Sequence, residues 1–239
     1  MTSLGFNSLP LRFPLDMTLT EPAVALTDYA LAIECAVIVL LLMRGDTDDR
    51  TLRFWFVIFF ASAGGASLLG GTVHGFFPDS ASHGRQILWQ ATLMAILVTS
   101  LAGWNIGALL LLSPRTATLV HRLATAQLVL FTFVVLFVRH EFFIAIIAYL
   151  PATLFLLIGL IGAYRSRPVL PLRWGIAGLG LTFVAAGVQR LHIALHPHYF
   201  DHNALYHVIQ GSALWMIFLA ARSLISARPP VRRMHVLST

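Results

Sequence analysis

Histidines on separate apolar stretches, accompanied by two acids in a stretch that should not hold any, are the residues of this sequence able to do chemistry. Neutral imidazole is the commonest metal ligand and needs no counter-charge, so such histidines suggest a zinc-type site, with His74 and His207 as its leading ligands. The densest polar run is Asp201-His202-Asn203-Ala204-Leu205-Tyr206-His207-Val208-Ile209-Gln210, and it opens onto the apolar stretch Ala213 to Ile225. Buried imidazoles and amides must find partners or cost several kcal/mol, so this run calls for complementary groups elsewhere. On a helix the residue four before His207 shares its face, and that residue is Asn203. His202 points elsewhere if the helix already includes it, and becomes a third ligand if the helix begins only at Asn203. His192, with Gln189 and His196 on one predicted stripe, is a further candidate. The acids are Asp28 and Glu34, both in the first apolar run.

The elements that must position these groups are membrane-spanning helices. The 239 residues are 58% hydrophobic and 11% charged, with mean hydropathy +0.81, far from the quarter of charged residues usual in soluble domains. A hydrocarbon core about 30 Å thick needs roughly 20 apolar residues per helix. Spans are predicted over Ala23 to Met43, Phe54 to Phe77, Ile87 to Leu112, Thr118 to Val138, Phe142 to Tyr164 with a kink at Pro151, Leu172 to Leu195, and Asn203 to Ile225. The expectation is an all-α integral membrane protein, a seven-helix bundle over residues 23–226, with a short tail before it (1–22) and a basic tail after it (227–239). The three early prolines, without a basic start and a cleavage site, are not a signal peptide.

Every basic residue is arginine. Without a lysine there is no retinal Schiff base, which rules out a rhodopsin-like reading of the seven spans. The net charge of +6 does not point to nucleic acid, because the arginines cluster at span ends rather than along a stripe. Twelve fall on one side of the predicted membrane and four on the other, namely Arg12, Arg85, Arg139 and Arg190. The positive-inside rule then places the amino terminus outside and the carboxyl terminus in the cytoplasm. In that orientation Asp28, Glu34, His74, Gln90, Gln189, Arg190, His192, Asn203 and His207 all fall at one outer depth, which predicts a single polar pocket. Arg190 is expected to neutralise Asp28 or Glu34. His83, His121, His140 and His235 read as interfacial anchors, and His196 and His198 as a solvated turn. Cys35 lies inside the first span and has no partner for a disulfide.

The seven-span layout, the histidine at the outer end of the second span and the string Asp201 to His207 resemble the CREST superfamily of membrane metallohydrolases. That group includes alkaline ceramidases, adiponectin/progestin-type receptors and GPI-remodelling proteins. In the last of these the final-span motif reads Asp-Ala-His-Ala-Leu-Trp-His, against Asp-His-Asn-Ala-Leu-Tyr-His here. The resemblance implies zinc held by histidines of the second and seventh spans, with a serine and an aspartate nearby, hydrolysing a lipid amide or ester. His74 and His207 match the ligands, and Asn203 replaces the first histidine of the last span. Gly70 stands where the family has its serine, with Ser67 nearby, and Gln90 is the nearest polar group to the family's aspartate in the third span. On this reading zinc activates water, Glu34 or Asp28 takes the proton, and Asn203 or Gln90 donates to the oxyanion.

Other expectations from the residues are a non-catalytic pocket binding a lipid or small molecule, a transporter or proton relay through Asp28, Glu34 and Arg190, and a haem held by His74 and His207. Membrane lipids are the expected partners. Arginine-only usage fits a bacterial chain from a GC-rich genome, hence an inner-membrane location.

Overall fold

A computed structural model of the chain describes residues 11–12, 18–197 and 199–226. The two tails, apart from the segments just given, and His198, His235, Arg228, Arg232 and Arg233 lie outside the described residues. Two short strands, β1 (Leu11–Arg12) and β2 (Thr18–Leu19), pair antiparallel before the first helix. Seven helices follow, α1 (Pro22–Arg44), α2 (Arg50–Phe76), α3 (His83–Leu111), α4 (Pro114–Phe137), α5 (Phe142–Ser166), α6 (Leu170–Arg190) and α7 (His202–Ile225). All seven are long and apolar enough to cross a membrane, so the chain is a multi-pass helical membrane protein.

The helices start where the sequence supplies caps. Asp49, Ser82, Ser113 and Asp201 each accept from the backbone N–H three residues on, at 2.8, 3.3, 3.4 and 2.9 Å, which satisfies one of the donors a helix start leaves unpaired. Prolines stand in the first turn of α1, α4 and α6, where the missing N–H costs nothing. Inside α5 the helix continues through Pro151. Helices α2, α3 and α4 each start four residues before the expected span, and two further differences bear on the site. Helix α6 stops at Arg190 instead of reaching Leu195, because His192 turns into the left-handed region at φ 56°. Helix α7 takes in His202, with Asp201 as its cap.

Six helices form a ring in the order α1, α2, α3, α5, α6, α7 and back to α1, while α4 lies outside against α3 and buries little. Close approach is set by small residues. A Cβ at Gly178 of α6 would stand 2.7 Å from the Ala213 carbonyl of α7, and one at Gly175 would stand 2.4 Å from Ala220 Cβ, so these glycines let the two backbones touch. One half of the ring is filled by Ile38, Leu42, Phe56, Phe60, Leu156, Leu160, Phe218 and their neighbours. That half is closed off by the α1–α2 turn, where Asp48 N and Thr47 Oγ1 both donate to the Ile225 carbonyl. The opposite half is not filled, and it holds the polar side chains.

Candidate functional site

At the open end, residues 18–21 are strapped to the last turn of α2. Thr20 N donates to the Gly75 carbonyl (3.0 Å) and Thr20 Oγ1 to the His74 carbonyl (2.7 Å). Leu19 is buried, and a Cβ at Gly75 would meet its Cδ1 at 3.6 Å. Glu21, the residue before α1, places Oε2 2.9 Å from His74 Nδ1. That hydrogen bond holds the Glu21 carboxyl below its usual range, with His74 and Arg85 charge in support and burial opposing. The last residues of the expected surface tail are thus part of the site's frame. Glu21 was not among the sequence candidates, although an acid immediately before a helix starting at Pro22 sits at the same depth as the end of α2.

Deeper, Asp28 of α1 meets His207 of α7. Oδ1 lies 3.2 Å from Nε2, and the Thr27 hydroxyl lies 3.2 Å from Nδ1 on the other edge of the ring. Asp28 is only 4% exposed and rests against α2, where a Cβ at Gly71 would come within 2.9 Å of its own Cβ and one at Gly70 within 3.4 Å of Oδ2. The glycines are what admit a carboxyl between two spans. Proton bookkeeping follows from the partners. The Thr27 hydroxyl has the Ala23 carbonyl at 2.8 Å as its acceptor, so it accepts from a His207 Nδ1–H. His207 Nε2 and Asp28 Oδ1 then share one proton between them, as imidazolium with carboxylate or as imidazole with carboxylic acid.

These groups line one cavity of about 630 Å³ inside the ring. Its polar end carries Asp28, His74, His207, Ser67, Gln189, Asn203, Tyr206 and Gln210, and its apolar wall is Trp89, Ile96, Phe142, Phe143, Ile146 and Leu150 of α3 and α5. Phe143, Ile146 and Leu150 remain 61, 37 and 43% exposed, so the cavity opens sideways along α5 towards the lipid-facing surface. Asn203 Oδ1 accepts from Gln189 Nε2 at 3.3 Å, joining α6 and α7 at this end. At the base, Gln210 Nε2 donates to Thr182 Oγ1 (3.4 Å), while its buried Oε1 has no partner. Gln210 lines the cavity, while this acceptor is itself sealed from it and is left as an unpaired polar atom in the interior. Gln210 stands three residues after His207, one turn along the same face, which is the signal that could have added it to the candidates.

At the mouth, the rings of His192 and His202 lie with centroids 4.5 Å apart, beside Arg190. The turn at His192 breaks the expected stripe of Gln189, His192 and His196 on one helix. His196 instead pairs with Phe200 across a small bridge and receives the Tyr199 N–H on Nδ1.

Several expected partners stand apart. Glu34 is not on this cavity. It lies in a separate groove of about 550 Å³ between α1 and α7, where the absence of a side chain on Gly211 makes room for its carboxyl. Gln90 Nε2 lies 3.2 Å from His140 Nδ1 near the α4–α5 turn, away from the cavity, and only its neighbour Trp89 reaches the cavity. Arg190 neutralises neither acid, since Asp28 is paired with His207 and no ion pair to Glu34 exists among the described residues. His121 and His140 are hydrogen-bonded, to Asn105 Oδ1 (2.9 Å) and to the Val135 carbonyl, beyond the interfacial role expected of them. For zinc, no three His, Cys, Asp or Glu side chains among the described residues gather closely enough to hold one ion. His74 keeps Nε2 open with Nδ1 on Glu21, but both His207 nitrogens are taken by Thr27 and Asp28, so with no third ligand close by the donor set does not fit a zinc ion in this arrangement.

DUF6962, a family of unknown function, matches residues 23–226, from the start of the first helix to the end of the last. No curated protein and no solved structure matches the chain.

Proposed function

Because the chain belongs to DUF6962, a family whose description assigns no activity, we propose a function from the site itself: the bundle binds a membrane amphiphile in its cavity. The observation that carries this reading is the division of one cavity into a polar end on α1, α2, α6 and α7 and an aromatic and aliphatic wall on α3 and α5. An amphiphile's linkage would face Asp28, His207 and Asn203, and its chain would lie along Phe143, Ile146 and Leu150. Ligand pockets of this kind are mostly apolar with a few convergent polar groups. The test is mass spectrometry of lipid retained by protein purified in mild detergent. Wild type should carry stoichiometric lipid and Ala66→Phe, which fills the cavity from α2, should carry much less. Equal lipid on both would overturn the reading.

A second reading is turnover. The shared proton of Asp28 and His207 is a general acid and base in one pair, and Ser67 lies on the same cavity. This makes hydrolysis of a lipid amide or ester, the chemistry expected from the CREST resemblance, the reaction to assay for. Incubation with ceramide and with a lysophospholipid, followed by mass detection of freed fatty acid, decides it. Product from wild type and none from Asp28→Asn supports turnover, whereas no product from either leaves a binding protein. The arginine distribution supports placing the cavity at the outer face, with the amino terminus outside and, for a bacterial chain, on the periplasmic side of the inner membrane. A cysteine at Ser80 should react with an impermeant thiol reagent in intact cells and one at Asp48 should not; the reverse would invert the topology.

A further inference from the structure

Around the mouth of the cavity the acids already have partners, and Glu21 feels the charge of His202 as well as that of His74. Glu21 is engaged by His74, Asp28 by His207, and Asp201 by the Ala204 N–H as the cap of α7. Arg190 lines the same cavity, is exposed, and makes no hydrogen bond or ion pair among the described residues. Beside it stand His192 and His202, with ring centroids 4.5 Å apart. His192 holds φ 56°, a left-handed conformation costly for a residue with a Cβ. That turn follows the end of α6 and brings the ring against His202, so the chain bears strain where two imidazoles meet on the cavity that Arg190 also lines.

We infer that this mouth recognises an anionic head group, a phosphate or a carboxylate, on the amphiphile whose chain occupies the cavity. The inference rests on the amphiphile-binding reading and names its ligand class. Arginine offers a planar fork of donors matched to such oxygens, and imidazole N–H groups add directed donors. The alternative for Arg190 is a side chain that reaches the membrane surface and binds nothing. It leaves unexplained why the helix is broken at His192 to set two rings beside it.

The test uses purified protein in a neutral detergent and follows Trp89 fluorescence, since Trp89 lies on the cavity wall. Hexadecyl phosphate should bind saturably and about tenfold more tightly than hexadecanol, the order expected of one charged hydrogen-bonding interaction. Arg190→Gln should remove that advantage while leaving hexadecanol binding unchanged. His192→Gly relieves the strained φ, so it should keep or raise the melting temperature while weakening hexadecyl phosphate several-fold. Inorganic phosphate at the same concentration should not displace hexadecyl phosphate. Displacement would assign the mouth to a free anion and overturn the lipid head group. Equal affinities for the two hexadecyl probes, unaltered by Arg190→Gln, would overturn the head-group inference alone. No binding of either probe to wild type would remove the amphiphile reading on which it stands.

Discussion

Asp28 and His207 are each costly residents of an apolar span, and each is a partner of the other. Removing Asp28 leaves His207 Nε2 buried without a partner, although Nδ1 keeps Thr27. Asp28→Leu should therefore destabilise the protein by about 1–3 kcal/mol, while Asp28→Asn, which can still donate to His207 Nε2, should cost under about 1 kcal/mol. Thermal unfolding in detergent separates the two, and equal losses would mean that the contact is incidental. Gly71 is the residue that makes the pair possible. Gly71→Val places methyls where only 2.9 Å separates a Cβ from that of Asp28, and it should cost about 1–3 kcal/mol through overpacking, measured in the same way. At this scale the sequence was partly readable. The expense of His74, His207 and Asp28 in spans predicted their convergence, and they do line one cavity. Glu34 is equally expensive, yet its place was not readable, because cost fixes only that a carboxyl needs accommodation. Whether α1 turns it inward or towards the α7 backbone depends on Gly211, which belongs to another helix.

The strap of residues 18–21 and the break after α6 are the elements that finish the site. The strap is held by the burial of Leu19 and by the bonds of Thr20 and Glu21 to the end of α2. The Glu21 carboxyl is depressed below its ordinary 4.5 in the folded protein, so its bond stabilises the docked strap fully above that value and is lost as pH falls through the lower folded one. Hydrogen-exchange protection factors of the strap amides, which take out the intrinsic pH dependence of exchange, should accordingly fall below pH 4.5 in wild type and be insensitive to pH there in Glu21→Gln. The same acid dependence in both would take Glu21 out of the strap. Hydropathy alone carried the sixth span too far, to Leu195, because Ile193, Ala194 and Leu195 are apolar and the left-handed turn at His192 has no Gly to announce it. The start of α7 was legible to within one residue, at Asn203 against His202.

For the molecule as a whole, seven helices and their order followed from apolar run lengths, since nothing but helix satisfies a backbone in lipid without closing a barrel. Their arrangement did not follow, because ring order depends on which small residues meet. Gly175 and Gly178 fix α6 on α7, while α4 has few such contacts and stays outside. That ring encloses an unfilled half, and the account stands or falls on whether an amphiphile occupies it. The most direct measurement is quenching of tryptophan fluorescence by a brominated single-chain amphiphile, comparing wild type with Trp89→Phe. Saturable quenching that is lost with Trp89 is the predicted result. Quenching that rises linearly with amphiphile and is the same in both proteins would mean that the cavity stays empty of lipid.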